Sequence, residues 1–451
     1  MKQINSKIKT LWGISEVGFS IMSTTETAFF VFFLTDIAQL PLAITGIITS
    51  FSAIADAISS VIAGMVIDKV TFKNGKYRPW LIYCTPVVTV FFILQFSKIG
   101  GDTLAGLLCG IGYVMSHFIW NICWTANRNL IPVLTEVPEE KAFLSARIAA
   151  GSSLGKVIAS YGVPVMSTAL LAVMSGVTAY TVIALLAGIF FIITYLIHFL
   201  ITKGYDEPDP NEVKGKAVTL GAMAKGIATN PPLIIFLLHD ALRLTAYYGI
   251  AGTAAYYAKV VLEDTSVMSW LLVMFYIGNV LGSLLSNKIV KKWGSKKTNY
   301  IGMAGWIIFH LLCYILPAKV AIIAVCLFIS QFSYGIAYGL TSNFYSMCGA
   351  YSEWKTGQNT RGVIMAFCAL AIKIGVAIRG ALIAAILTSI AYNPNTTVMT
   401  AAAKSGIKNL FILIPGIILI VSMIPFIFFK LDDGKVVEME KEIAERKANK
   451  A

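Results

Sequence analysis

The strongest constraint in this sequence is how rarely its oily runs are interrupted. PWLIYCTPVVTVFFILQF (79–96) and FILIPGIILIVSMIPFIFF (411–429) carry no charge, and comparable runs recur along all 451 residues. A bilayer core takes about 20 apolar residues per helix. In lipid, only helices and closed barrels satisfy their own backbone. Barrel strands alternate over roughly 10 residues, and these runs do not. Charged residues make up 13% of the chain, against roughly 25% in a soluble domain. The sequence therefore predicts an all-α membrane protein that meets lipid along most of its length.

Twelve runs are long enough to span: 11–35, 40–67, 79–98, 103–128, 143–168, 171–201, 230–261, 265–287, 298–317, 319–347, 361–391 and 407–430. DKVTFKNGKYR (68–78), KGYDEPDPNEVKGK (203–216) and NKIVKKWGSKK (287–297) are rich in Lys and Arg. The connections near 36–40, 168–172 and 317–319 hold at most one Lys. The positive-inside rule then places both termini in the cytoplasm of a multi-pass protein of the cell (plasma) membrane. TEVPEEK (135–141) is acidic on that same side, but acids weigh little in the rule. The expected organisation is a six-helix bundle over 1–202, a cytoplasmic central loop over 203–228, a second six-helix bundle over 229–430 and a cytoplasmic tail over 431–451. GMVIDKVTFKNGKYRPW (64–80) and GSLLSNKIVKKWGSKKTNY (282–300) follow the second span of each half, and both place a glycine inside a basic loop. Parallel halves of this kind suggest the major facilitator fold. The charged tail reads as a solvated helical or disordered cytoplasmic segment. The net charge of +13 fits cytoplasmic Lys and Arg better than nucleic-acid binding. The seven cysteines form no CxxC pair and read as buried free thiols.

An ionisable group at mid-bilayer costs about 2.5–3.5 kcal/mol even on a lenient scale, so those present mark a path or a site. They are Glu26, Asp56, Arg128, Arg147, Lys156, Asp240, Arg243, Lys373 and Arg379. Asp56 shares a helix face with Ser52, Ser59 and Ser60. One carboxylate among hydroxyls and carbonyls suits a hard monovalent cation. A carboxyl in low dielectric can instead carry a proton, and a structural ion pair is the third reading. Lys373 is the counter-charge candidate from the second half, whereas Arg379 stands near enough to a span end to snorkel. Asp240 and Arg243, three residues apart, can neutralise each other. Tyr247 and Tyr248 can stack on a sugar face, and Tyr256 and Tyr257 read as interface anchors. His117, His198, His239 and His310 show no metal-ligand spacing, and no nucleophile–base pair stands out. No enzyme activity, metal site or cofactor is expected.

Several stretches resemble the glycoside–pentoside–hexuronide:cation symporters, the melibiose permease family. IADAISSVIAGMVIDKV (54–70) with GKYRPW (75–80) is similar to that family's second span and following loop. GAYSEWKTGQNTRG (349–362) is similar to its loop after span ten, and IAYNPN (390–395) to the end of its span eleven. The resemblance covers nearly the whole chain. It implies a secondary transporter in which a sugar or glycoside moves with Na⁺, Li⁺ or H⁺. Asp56 falls on the first of two cation-holding aspartates, Ser60 on the second, Ser59 where an Asn often stands, and Asn121 on a cation-coordinating hydroxyl position. Arg147 falls on the arginine beside the sugar and Lys373 on the span-eleven lysine. Gly18 and Trp124 stand where the family has sugar-binding acids, and Arg128 where melibiose permease has an aromatic residue. With those acids lost, Arg128 with Arg147 favours an acidic sugar such as a uronide. With Ser60 in place of the second cation-site acid, a proton becomes as apt as sodium, and Glu26 is the candidate replacement charge.

The expected mechanism is alternating access, with Arg147, Lys373, Arg128, Trp124, Glu26 and Tyr247 around the substrate. Asp68, Lys69, Lys76 and Arg78 in one half, with Glu353, Lys355 and Arg361 in the other, are the expected gating charges. A lipid or other organic-anion transporter of the same superfamily, or an uncoupled uniporter, are the alternatives.

Overall fold

Lipid leaves a backbone no partner but itself, so each apolar run folds as a helix. The computed structural model describes residues 4–70, 72, 74–135, 137–206, 230–357, 361–396 and 399–448. Among them, twelve helical stretches are long and apolar enough to cross a bilayer, as the run count predicts. This is a multi-pass helical membrane protein. Large apolar side chains stand exposed along single helix faces, such as Val87 and Val90, Ile189 and Ile193, and Ile417, Ile420 and Ile424. Faces of that kind suit hydrocarbon and not water.

The chain divides into two compact units, Met1–Ala217 with Ala384–Met399, and Val218–Ile383 with Thr400–Ala451. The predicted central loop straddles that division, and most of it lies outside the described residues. The IAYNPN stretch groups with the first unit, which the linear reading did not anticipate. Tyr392 Oη donates to Asp36 Oδ1 at 2.7 Å, and Gln39 Nε2 donates to Asn395 Oδ1 at 2.6 Å.

The first unit contains α1 (Ser6–Leu11), α2 (Ile14–Phe32, prolonged by a π turn Phe33–Ile37), α3 (Leu42–Lys69), α4 (Arg78–Gln95), α5 (Asp102–Leu134), α6 (Pro138–Leu171) and α7 (Gly176–Ile201). Asn5 caps α1 by accepting from Ile8 N–H at 2.8 Å. Glycines bring α2 and α6 backbone to backbone. A Cβ on Gly151 would sit 2.0 Å from Gly13 O, and one on Gly155 would sit 2.5 Å from Val17 O. GSSLG (151–155) thus works as a small-xxx-small contact, tied by Ser20 Oγ to Ser152 Oγ at 2.9 Å.

The second unit contains α8 (Pro231–Val260), α9 (Met268–Ile315), α10 (Val320–Tyr338), α11 (Thr341–Thr356), α12 (Arg361–Ser389) as far as Ile383, α13 (Ala401–Lys408), a π turn Asn409–Leu413, α14 (Ile414–Ile427) and α15 (Asp433–Ala448). Asn230 caps α8 by accepting from Leu233 N–H at 3.1 Å, while its amide donates to Cys348 O at 2.7 Å. The stretch 287–297, read as a loop, is helical on both sides of Gly294, where φ is +75°.

The sequence repeat has a structural counterpart. In the first unit, Gly75 has φ +125°, and Asp206 Oδ2 accepts from Tyr77 and Arg78 N–H at 2.7 Å each. In the second, Asp433 Oδ2 accepts from Ser295 N–H at 2.7 Å, just after Gly294. Both acids follow the sixth span of their unit. Each caps the helix that opens after a glycine in the left-handed region, which suits a residue without Cβ. Arg78 Nη2 donates to Phe199 O at 2.7 Å, and Lys296 Nζ donates to Phe429 O.

The tail is helical, with one face exposed as expected and another docked. α15 lies on the second unit, where Trp354 Nε1 donates to Glu442 Oε2 at 2.7 Å and Arg446 Nη1 to Trp354 O at 2.7 Å. Glu440 takes a two-pronged bond from Arg361, at 2.7 Å on each arm.

A candidate ion and sugar-acid site on the first unit

α5 carries a stripe of polar and aromatic groups at helical spacing: His117, Asn121, Trp124 and Arg128. Eleven residues of α-helix rise about 16 Å, so the stripe crosses much of a bilayer core. Each rung meets a neighbouring helix.

At the middle rung, Asn121 Nδ2 donates to Asp56 Oδ1 at 2.8 Å and to Ser59 Oγ at 2.9 Å. Ser59 Oγ also donates to Asp56 O at 2.8 Å. The structure therefore brings together Asp56, Ser59 and Asn121, and all three are buried. Ser60 is not among them, because its hydroxyl donates to Ala57 O at 2.8 Å. Ser52, one turn before Asp56, is buried with no hydrogen-bond partner among the described residues. An asparagine amide presents either N–H or oxygen on rotation. Asn121 can thus donate to the Asp56 carboxylate, as here, or turn its oxygen to a cation.

At the lower rung, Arg128 Nη2 meets Glu16 Oε1 at 2.9 Å, with its guanidinium 4.5 Å over the Trp124 ring. Glu16 is buried, and Lys156 of α6 lies within electrostatic reach of it. Sequence reasoning missed Glu16, so two expectations change. Arg128 is a paired cation, and Trp124 is the platform beneath it. The missed signal was the stripe Glu16, Ser20, Ser23 and Thr27 along α2. Gly18 is not an emptied acid position facing a cavity, since a Cβ there would stand 2.1 Å from Thr194 Oγ1 of α7. Arg147 differs from Arg128. It is exposed, lies over the Phe143 ring at 5.1 Å, and has no carboxylate at ion-pair distance among the described residues.

At the upper rung, Glu26 is not open to a substrate. It is 4% exposed and its Oε2 lies 3.2 Å from His117 Nε2.

In the second unit Asp240 and Arg243 close each other off. Arg243 Nε donates to Asp240 Oδ1 at 3.0 Å, Arg243 Nη2 to Thr341 Oγ1 at 2.7 Å, and Tyr345 Oη to Asp240 Oδ2 at 2.9 Å. Asp240 and Arg243 are fully buried. Tyr247 is 6% exposed and packs on Tyr248, Phe275 and Tyr334 with ring centroids 5.0–5.2 Å apart. Its face is therefore not free for a sugar. Tyr256 and Tyr257 are buried, Tyr257 stacked on Phe411 at 4.4 Å, so they are core residues and not interface anchors. Arg379 is buried at 3% exposure and does not snorkel. Lys373 is half-buried on α12.

Among the expected gating charges, Arg78, Glu353 and Arg361 each make bonds within their own unit. Arg78 is buried and spends its guanidinium on Thr202 Oγ1 at 3.1 Å and on Phe199 O. Arg361 Nε meets Glu353 Oε2 at 2.6 Å as well as Glu440. Hydrogen bonding to Glu440, then to Glu353, raises the Arg361 pKa above its ordinary value. Lys355 is exposed and lies 5.6 Å over the Tyr351 ring. The Asp68 side chain lies outside the described residues.

The model of the MFS/sugar transport protein family matches residues 11–433. A "Putative 2,3-dihydroxypropane-1-sulfonate exporter" of Salmonella typhimurium (strain LT2) is 27% identical over 98% of this chain and 96% of its own length. A "Glucuronide carrier protein homolog" of Escherichia coli (strain K12) is 24% identical over 97% of this chain and 95% of its own. Among solved structures, the nucleoside transporter NupG superposes with a TM-score of 0.64 at 15% identity, covering 95% of this chain and 100% of that one. That likeness shows the fold, two six-helix bundles of the major facilitator type. The chain is a membrane transporter, not an enzyme, and belongs to the MFS/sugar transport protein family, in its glycoside–pentoside–hexuronide branch.

Proposed function

We propose that this protein is a cation-coupled symporter of an acidic sugar, a uronide or a sulfonated analogue, working by alternating access in the cell membrane with both termini cytoplasmic. The observations that carry the substrate class are the cations around Glu16 and the state of Arg147. Arg128 and Lys156 both stand by the single buried carboxylate of Glu16, and Arg147 on α6 has no carboxylate at ion-pair distance among the described residues. A guanidinium fork matches a carboxylate or sulfonate better than it matches hydroxyls. The relatives support this, since one is described for a glucuronide and another for a sulfonate.

Asp56 is the group we assign to the coupling ion, H⁺ or Na⁺. It is a buried carboxylate met by the neutral side chain of Asn121, which also holds Ser59 beside it. Neutral oxygen and amide groups of this kind can serve a proton or a cation in turn. An ion drives the cycle only by binding one conformational state better than the other. Counterflow in proteoliposomes loaded in turn with glucuronide, a sulfonated sugar and a neutral galactoside tests the substrate. Uptake of the galactoside with both acids ignored would end the acidic-sugar reading. Uptake under a sodium gradient at fixed pH, and under a pH gradient without sodium, identifies the ion.

A further inference from the structure

Glu16 and Arg128 meet unequally. Arg128 Nη2 lies 2.9 Å from Glu16 Oε1, and the arginine side chain is 39% exposed where the glutamate is 1% exposed. The carboxylate is sealed in, whereas the guanidinium reaches outward on a long stem. Arg128 Nε is buried and has no hydrogen-bond partner among the described residues. Other donors stand around the same carboxylate. Trp124 is beside it, and Lys156 and Tyr195 lie within electrostatic reach. Trp124 Nε1 and Tyr195 Oη are buried and complete no hydrogen bond among the described residues. Backbone packing fixes where Lys156 stands. A Cβ on the neighbouring Gly155 would sit 2.5 Å from Val17 O, and Ser152, one turn before Lys156, is bound to Ser20, one turn after Glu16. Counted as ions, Arg128 and Lys156 against Glu16 leave one positive charge. A buried carboxylate that loses its cation is costly. Lys156, Trp124 and Tyr195 are placed to lessen that cost if Arg128 turns away.

We propose that Glu16 is a tethered stand-in for the acid of the substrate, and that Lys156 is the residue that lets it be displaced. In the arrangement seen here Glu16 holds Arg128. An acidic sugar takes the guanidinium over while Lys156, with Trp124 and Tyr195, retains Glu16. The exchange turns one partly exposed side chain and moves no helix. A carboxylate or sulfonate can use two edges of the guanidinium, including the Nε that Glu16 leaves unspent. One negative charge from the substrate brings the total to zero. A neutral sugar offers Arg128 nothing in place of Glu16, so Glu16 and Lys156 set selectivity against it. This inference rests on the acidic-sugar reading and adds to it the two residues that set the charge the site accepts.

Calorimetric titration of the purified full-length protein in detergent gives the test. The probes are methyl glucuronide, its sulfonated counterpart and methyl glucoside, which share one ring and differ in carrying a carboxylate, a sulfonate or a hydroxyl. Lys156→Gln is expected to weaken binding of both acids about tenfold, and Glu16→Gln to tighten it about tenfold. The double variant again carries one positive charge and is expected to return to within about threefold of wild type. Methyl glucoside is expected to bind alike in all four proteins. A purely structural role would weaken both single variants and weaken the double variant further. That result overturns the proposal, and so does no change in either single variant. Should Glu16→Gln fail to fold, Lys156→Arg, which keeps the charge, is compared with Lys156→Gln. Acid binding kept by Lys156→Arg and lost by Lys156→Gln supports the proposal, and equal binding by the two defeats it. A wild type that binds neither acid more tightly than the glucoside ends the acidic-sugar reading itself. If the wild type prefers the acids but the two single variants do not move in opposite directions, that reading stands and this inference alone falls.

Discussion

Asp56 and Asp240 are both buried carboxylates in the middle of a span, and the helix elements that reach them differ. Asp240 is met by Arg243, three residues on in the same helix, and by the Tyr345 hydroxyl. Asp56 Oδ1 is met by an amide that lies 65 residues away on α5 and that also reaches the Ser59 hydroxyl. The first arrangement neutralises itself locally and has no charge to exchange. The second sets a neutral amide and a hydroxyl beside its acid, groups that can also serve an incoming cation. Position at mid-span is therefore weak evidence for function unless the partner is known.

That contrast can be broken most forcefully at Asp240. Asp240→Asn leaves Arg243 fully buried without its acid, which costs about 3–5 kcal/mol. The expected result is loss of monodisperse protein in size-exclusion chromatography. Asp56→Asn should leave folded yield near wild type and abolish concentrative uptake, measured as the ratio of internal to external labelled substrate. A collapse in yield for Asp56→Asn, or full accumulation, would erase the distinction. A smaller effect separates the two arginines. Arg147→Gln should raise the half-saturating concentration of an acidic sugar about tenfold, equivalent to about 1.4 kcal/mol. Arg128→Gln should raise it less, and should also lower the melting temperature, because it strands the buried Glu16. Equal effects on binding would mean that Glu16 does not hold Arg128 back from the substrate.

The mildest predictions concern the edges. Glu440→Gln removes a partly exposed pair from Arg361, which keeps Glu353. The expected loss is under about 1 kcal/mol, read by thermal melting, with transport unchanged. Glu140 at the start of α6 accepts from Thr135 Oγ1 at 2.7 Å and lies near Ile4 N–H and Lys9. The Thr135 hydroxyl, then Ile4 N–H and Lys9, hold its carboxyl below the ordinary value of 4.5. A depressed carboxyl contributes above that value and loses the contribution as pH falls through its folded one. Proteolysis of the N-terminal segment should therefore rise on acidification below about pH 4.5 in the wild type, and show no such step in Glu140→Gln.

The apolar runs alone determined the class and the twelve spans, because lipid forces any long apolar segment to close its hydrogen bonds within one helix. The mutual neutralisation of Asp240 and Arg243 was also readable, since three residues in a helix fix their proximity. The two basic loops with their glycines were visible as a repeat. What they rest against was not, since Asp206 and Asp433 come from far along the chain. Glu16 with Arg128, Glu26 with His117, and Asn121 with Asp56 were equally hidden. Helical periodicity says which residues share a face, but not which face of which neighbour it meets. That is decided by packing, here by backbone contacts such as Gly13 on Gly151, and those contacts turned a list of intramembrane charges into specific pairs.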